Sequence, residues 1–346
     1  MSKYIKISPN IQQITIDNPR TANEKLVWID ICEAGKKELE YLRKNYNFNL
    51  THLQASTAKS VAQRPMIAQN ENYLFMILHF PVFQLTPAAK RSLFENTKRK
   101  IKIQDQHAKY CITAGEIDFF IGNGYLITLH NNNIKTLSEF FNLCKKDSDS
   151  LLAYKFESSA ILLYELLEKL MLSCFPLLDQ NSVEIAKTEE IIFEQEQKRA
   201  VSYILSLRHN IINFRKIMQS HKNIIKQLMG IKSGLVPEQK IKPYYNELLE
   251  RSKRVWEILE NQKEMIEVLN GTNESLLNYR ISDIMKTLTI FSVIVFPLTL
   301  FAAIFGMNIE GGMPFISNEN GFWIIVSIML TCCLCMLVFF KKKKWL

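Results

Sequence analysis

The chain has 346 residues, a formal net charge of +9 and 47% hydrophobic residues, enough for one or two ordinary cores. Its mean hydropathy of −0.04 conceals a strong concentration of apolar residues near the C-terminus. The six histidines lack the spacing of metal ligands, and no Ser, His, Asp or Cys residues converge in a catalytic pattern. The composition therefore argues against an enzyme, and we expect no cofactor.

Residues 1–133 have the pattern of an α/β domain. The sequence Gly122-Asn123-Gly124 separates two apolar runs and is typical of a tight hairpin turn. We expect a mixed sheet flanked by helices. The predicted strands are Tyr4–Ile7, Leu26–Ile31, Tyr73–Phe80, Gly115–Ile121 and Tyr125–Leu129, and the predicted helix is Glu33–Asn45.

Two charged stretches follow. Residues 84–109 carry an excess of lysine and arginine, which is typical of a solvated insertion or of a partner-binding patch. Residues 134–236 have helical leucine periodicity, and an acidic helix lies between Asp179 and Glu196. The acidic residues form a solvated face, or they interact with the basic C-terminal tail and concentrate cations.

A single long helix is predicted from about Pro243 to Met307, because no proline occurs before Pro297 and only Gly271 interrupts the pattern. At the helical rise this span is about 100 Å long. Its first part, residues 237–286, is interpreted as a stalk. The spacing of its apolar seam favours packing between subunits, but packing within one subunit remains an alternative. The seam consists of Leu248, Val255, Leu259, Ile266, Leu269 and Leu276.

Two membrane-spanning helices are predicted at residues 287–307 and 321–340. Neither contains a charged residue, and each is long enough to cross a hydrocarbon core of about 30 Å. Lysines flank the pair at Lys286 and in the tail 341–346, whereas the connecting loop 308–320 contains only Glu310 and Glu319. Both termini are therefore expected in the cytoplasm, with the large domain inside the cell. The basic tail indicates contact with anionic lipid rather than nucleic acid.

One face of the first span mixes small, hydroxyl and bulky apolar side chains in steps of three and four residues. In a lone helix this face would suit close helix packing. In a symmetric ring it would line a central path, with hydroxyls for water and apolar constrictions that gate by dewetting. The face consists of Met285, Leu288, Ser292, Phe296, Thr299, Ala303 and Gly306.

Several short motifs around this face resemble the CorA magnesium transporter family. They are Gly306-Met307-Asn308 at the end of the first span, the preceding Met285–Thr289 and Phe296–Thr299, and the following Met313-Pro314. The terminal lysine run and the segments Gln63–Pro65 and Lys242–Tyr245 are also similar to that family.

This resemblance implies a funnel-shaped homopentamer, an α+β membrane protein whose stalk helix continues into the pore-lining first span. Gly306, Met307 and Asn308 would form the selectivity filter of a magnesium channel that also passes cobalt or nickel. Membrane potential would drive uptake, and cytoplasmic magnesium bound at Glu247 would close the pore. The sequence departs from the family pattern at Gln84, where an acidic partner is expected, and at Phe315. Glu310 and Glu319 are left as the acids near the mouth.

Two other functions remain open. A zinc transporter of the same superfamily would share the Gly-Met-Asn motif. A membrane-anchored oligomeric scaffold or sensor would have the same spans and long helix but would carry no ion flux.

Overall fold

The computed structural model describes residues 3–17, 25–56, 64–85, 110–131, 134–146, 158–194, 196–231, 238–307, 314 and 320–343. The chain divides into two compact units, Met1–Asn270 and Gly271–Leu346, which are described separately. Nearly all of the basic segment 84–109 lies outside the described residues, as do Asn308, Glu310, Phe315 and Glu319.

The first unit contains a mixed seven-stranded sheet of order β1-β2-β3-β7-β6-β5-β4. Only the β3–β7 pair is parallel among these neighbours. The predicted hairpin is confirmed as the antiparallel β6–β7 pair. The strands are β1 Lys3–Lys6, β2 Ile11–Asp17, β3 Lys25–Cys32, β4 Met66–Gln69, β5 Tyr73–Leu85, β6 Tyr110–Gly122 and β7 Tyr125–His130.

Each face of the sheet has its own hydrophobic core, as strand alternation requires when both faces are covered. Two short helices, α1 (Lys36–Tyr46) and α2 (Leu50–Ala55), cover one face, where Leu42 and Leu53 pack with Phe75 and Phe120. On the opposite face, Trp28, Phe80 and Phe119 join a larger core with the helices of residues 134–259.

The helices on this second face are consecutive and mostly joined by short connections. They are α3 Lys135–Lys146, α4 Ser159–Leu172, α5 Cys174–Phe193, α6 Gln197–Met218 and α7 His221–Gly230. Strand β7 is too short to pair with the first part of β6, and side chains of helix α6 hydrogen-bond to backbone groups there. Asn210 Oδ1 accepts a hydrogen bond from Ile112 N at 3.0 Å, and Asn213 Nδ2 donates to Ile112 O at 3.2 Å.

The predicted start of the first helix at Glu33 is wrong. Glu33 has a φ of 54°, and its N–H donates to His130 O at 2.9 Å, next to the last pair of the β3–β7 ladder. Helix α1 begins three positions later, at Lys36, after Gly35. The third predicted strand is also longer than expected, because β5 continues through Pro81 to Leu85.

Helix α8 is continuous from Glu238 to Phe305 over 68 residues. It starts before Pro243, so that proline lies in its second turn. Five of the six residues of the seam predicted to join subunits are instead buried inside the first unit: Leu248, Val255 and Leu259 belong to the larger core, and Ile266 and Leu269 are 2% and 4% exposed. The sixth, Leu276, is half-buried in the second unit. Packing within one subunit, the alternative left open by the sequence, is therefore what the five buried residues do.

Hydrogen bonds reinforce this packing. Tyr245 OH donates to Ala160 O at 3.0 Å, and Gln262 Nε2 donates to Leu178 O at 2.7 Å. The polar interruption at Gln262 thus fixes α8 against α5. In the second unit, the remainder of α8 is followed by α9, Gly321–Lys342.

Candidate functional site

The second unit exposes apolar side chains around most of its helical surface. Both α8 and α9 are long and apolar enough to cross a membrane, and only 6% and 0% of their most apolar windows are buried. A helix that is apolar on all sides needs lipid or other helices around it. These two helices are the only such candidates among the described residues.

The face of α8 predicted to line a pore is open in the single chain. Phe296 is 72% exposed, Met285 and Leu288 are each 56% exposed, and Ser292 is half-buried. Thr299 and Ala303 are exposed in the next two turns. The helix therefore presents this face to its surroundings over about five turns, from Met285 to Ala303.

The two hydroxyls on this face have a defined hydrogen-bonding role. Ser292 Oγ donates to Leu288 O at 2.9 Å, and Thr299 Oγ1 donates to Val295 O at 2.6 Å. Since each hydroxyl has only one proton to donate, its oxygen is left with lone pairs that accept hydrogen bonds. Both side chains therefore present acceptors outward from the helix.

Gly306 and Met307 follow the last helical residue of α8. Gly306 N donates to Ala302 O at 2.9 Å and Met307 N donates to Ile304 O at 3.3 Å, which tightens the end of the helix. A Cβ atom on Gly306 would lie 3.1 Å from Ala302 O, so a side chain would crowd this turn. The third predicted filter residue, Asn308, and the loop acids Glu310 and Glu319 lie outside the described residues.

Glu247, predicted to be a regulatory metal ligand, already has a cationic partner. Arg251, one turn later on α8, donates from Nη2 to Glu247 Oε1 at 2.6 Å and to Glu168 Oε1 at 3.0 Å. Tyr164 OH donates to Glu247 Oε2 at 3.3 Å. Burial and the neighbouring carboxylates of Glu168 and Glu247 raise the pKa of Tyr164, so this phenol stays protonated as a donor.

Only half of this arrangement is recognisable in the sequence. The spacing of four between Glu247 and Arg251 is a recognisable ion-pair signal on a helix, whereas the contribution of Glu168 comes from α4 and depends on tertiary packing. Gln84 lies within β5, opposite Cys111 of β6, and not beyond the end of the strand. Among the described residues, no group of three or more His, Cys, Asp or Glu side chains could hold a metal ion, at Glu247 or elsewhere.

The large α/β unit followed by two long apolar helices defines a two-span membrane protein with most of its chain outside the bilayer. The sequence matches the family described as CorA-like Mg²⁺ transporter protein over residues 23–342. The chain therefore belongs to the CorA-like Mg²⁺ transporter family. It is a divalent-cation transporter and not an enzyme.

Relatives with known names and structures agree with this membership. The chain is 29% identical over 320 residues to the cobalt/magnesium transport protein CorA of Thermotoga maritima, covering 92% of this chain and 83% of that protein. The complete structure of the CorA magnesium transporter from Methanocaldococcus jannaschii has a TM-score of 0.80 at 19% identity, covering 99% of this chain and 100% of the other. The structure of the full-length CmaX protein has a TM-score of 0.65 at 18% identity, covering 93% of this chain and 90% of the other. The last two likenesses concern the fold.

Proposed function

We propose that this chain is one subunit of a homopentameric channel that admits Mg²⁺, and also Co²⁺, into the cell. In this proposal Met285, Leu288, Ser292, Phe296, Thr299 and Ala303 line the pore, and Gly306, Met307 and Asn308 form its filter. Both termini and the α/β unit lie in the cytoplasm, with the lysine tail at the inner membrane surface.

The observation that carries the proposal is the exposed face of α8 that ends at Gly306, in a chain of this family. Its hydroxyls direct acceptor lone pairs outward. The water molecules around Mg²⁺ point their hydrogens away from the ion, so a wall of acceptors suits a cation that keeps much of its hydration shell. The amide oxygen of Asn308 adds a neutral acceptor of the same kind.

Membrane potential supplies enough energy for uptake. Moving one elementary charge across 100 mV is worth about 2.3 kcal/mol, so a divalent ion gains about 4.6 kcal/mol. This corresponds to roughly a thousandfold accumulation. Such a driving force requires a pore that closes, and we propose that cytoplasmic Mg²⁺ closes it in competition with the Arg251–Glu247 ion pair.

Flux into liposomes under an imposed potential tests the function. Purified protein should admit Mg²⁺ and Co²⁺ when the interior is negative, and much less when the potential is collapsed. Asn308→Ala should abolish selective uptake, because it removes the amide oxygens from the filter. Asn318→Ala, in the same loop, is the matched control and should retain uptake.

Three results would count against the proposal. Uptake that prefers Zn²⁺ or follows a proton gradient would indicate a zinc transporter. An absence of flux for every divalent cation tested would favour a scaffold or sensor. Normal selectivity in Asn308→Ala would remove Asn308 from the filter.

A further inference from the structure

A small polar cavity lies beside the sheet in the first unit, on the face covered by α1 and α2. Its volume is about 10 Å³, close to the minimum needed for one water molecule or one small ion. Ser56, Glu116 and Asp118 contribute polar side chains, and residues 129–131 at the end of β7 complete much of the wall.

The carboxylates reach this cavity because successive side chains of β6 point to opposite faces of the sheet. Glu116 and Asp118 are two residues apart and therefore point to the same face of the sheet. Asp118 lies opposite Ile77 of β5 and Leu129 of β7, so apolar neighbours flank it on both sides. The cavity is thus a mostly polar position at the margin of the hydrophobic core, beside the exposed Asn131.

Glu116 is held in a fixed position by a histidine on the adjacent strand. His79 Nε2 and Glu116 Oε2 are 3.0 Å apart, and these side chains are only 9% and 8% exposed. The imidazole therefore orients the carboxylate, as outer-shell partners do for carboxylates that bind metal ions.

The carboxylate of Asp118 is buried, and one of its oxygens has no hydrogen bond. Its side chain is 3% exposed, and Oδ1 is buried with no hydrogen-bond partner among the described residues. The nearby Glu116 carboxylate disfavours a negative charge on Asp118, whereas a hydrogen bond with the Ser56 side chain favours it. One hydroxyl compensates a buried carboxylate only in part, and either a proton or a cation can neutralise the remaining charge.

We propose that Glu116 and Asp118, assisted by the Ser56 hydroxyl, bind one divalent cation of the Mg²⁺ class inside the α/β unit of each subunit. Two carboxylates with neutral oxygens suit a hard cation that takes oxygen ligands. They do not supply the nitrogen and sulfur ligands typical of Zn²⁺. The site is separate from Glu247 and does not require ion flux.

Ion counting on full-length protein in detergent tests the site. Metal-free protein is titrated with Mn²⁺, an oxygen-binding probe whose free form is measured by electron paramagnetic resonance, at pH 8 so that fewer protons compete for Asp118. Asp118→Asn should bind one ion fewer per chain than the wild type. His79→Gln, which removes the orienting partner, should weaken the same site by about 10–100-fold.

Asp30→Asn is the matched control. Asp30 is also a buried acid of this sheet, but Thr128 Oγ1 donates to its Oδ1 at 2.7 Å, and its Oδ2 lies 3.3 Å from His130 Nε2. This variant should keep the wild-type ion count. Mg²⁺ should also raise the thermal unfolding temperature of the Asp30→Asn protein more than that of Asp118→Asn.

Equal ion counts in wild type and Asp118→Asn would overturn the proposal. So would a variant whose only change is the pH dependence of unfolding, because Asp118 would then bind a proton alone. Asp118→Asn removes a buried charge and should fold, and Glu116→Gln gives a second measurement of the same ion.

Discussion

At the scale of single residues, Arg251 holds two carboxylates from different helices. Its Nη2 lies 2.6 Å from Glu247 Oε1 and 3.0 Å from Glu168 Oε1. Glu247 is 52% exposed on its side chain and Glu168 is 19% exposed, so ions from solution can reach this group. A divalent cation that binds Glu247 must therefore compete with a guanidinium fixed one helical turn away.

In the proposed channel, Arg251→Gln should increase the sensitivity to internal Mg²⁺. Removing the guanidinium leaves the carboxylates of Glu247 and Glu168 without their cationic partner. A divalent cation can then bind them without displacing the arginine. A charge-assisted hydrogen bond is worth about 1.5–3 kcal/mol, so the inhibitory concentration should fall by about tenfold or more. Flux into liposomes is measured at graded internal Mg²⁺.

Lys253→Gln is the control for this effect. Lys253 also forms an ion pair on α8, with Glu250 at 2.6 Å, but no contact described for it involves Glu247. Its inhibition curve should match that of the wild type. An unchanged curve in Arg251→Gln would remove Glu247 from regulation, even if the channel itself remained active.

Burial of His221, the first residue of α7, is expected to destabilise the first unit in acid. His221 is 1% exposed, and its ring centroid lies 5.1 Å from that of Phe80. Burial lowers its pKa to about 4, although the backbone carbonyls of Ile217 and Met218 act in the opposite direction. Since an unfolded histidine titrates near about 6.5, the folded state binds fewer protons between these values, and stability falls as pH drops through this window.

Replacing His221 with leucine should reduce that loss. The denaturant midpoint of full-length His221→Leu, measured in detergent at pH 7.5 and pH 5, should change less with pH than that of the wild type. His209→Leu alters an exposed histidine of α6 and should keep the wild-type trend. Equal pH dependence in wild type and His221→Leu would show that other groups cause the acid sensitivity.

At the scale of elements, α6 stabilises the long β5–β6 hairpin beyond the reach of β7. Asn210→Ala should leave the Ile112 N–H buried without its side-chain acceptor. The expected loss is about 1–3 kcal/mol in the free energy of unfolding, measured by urea titration. Asn223→Ala, on the exposed surface of α7, should cost much less. If both variants lose the same amount, the Asn210–Ile112 contact contributes little.

The strands that sequence patterns identified are those with a continuous apolar signal. β5 and β6 each pair with strands on both sides, and their residues Tyr73–Phe80 and Ile117–Gly122 are buried throughout. The two missed strands, β4 and β2, lack such a signal. β4 has only four residues, none of them buried, and β2 begins with one isoleucine followed by two glutamines. Short or polar strands depend on their neighbours more than on their own composition.

The long helix illustrates a different limit. Its existence follows from the scarcity of proline and glycine, but its seam alone does not identify the partner. Leu248, Val255 and Leu259 are spaced as they would be in a coiled coil, yet they contact the larger core of their own unit. Apolar residues spaced by three and four positions indicate which side of a helix is apolar. Tertiary packing determines what covers that side.

At the scale of the whole molecule, the proposed pore assigns different surroundings to opposite sides of α8. Phe296 and Phe291 are similar in exposure, at 72% and 64%. Five helical positions separate them, which places them about 140° apart around the axis. If α8 lines a central pore, only one of these two phenylalanines faces the pore. In a lone helix surrounded by lipid, both would have the same environment.

Phe296→Ala should therefore increase Mg²⁺ flux under conditions that close the wild-type pore, because it widens an apolar constriction and favours its wetting. Phe291→Ala removes the same side chain from the other face and should leave closed-state flux low. Liposome uptake at high internal Mg²⁺ measures both variants, with the assembled state of each checked by cross-linking. Equal flux in the two variants would contradict a pore lined by the face that includes Phe296. A leak in Phe291→Ala alone would assign the pore to the opposite side of α8.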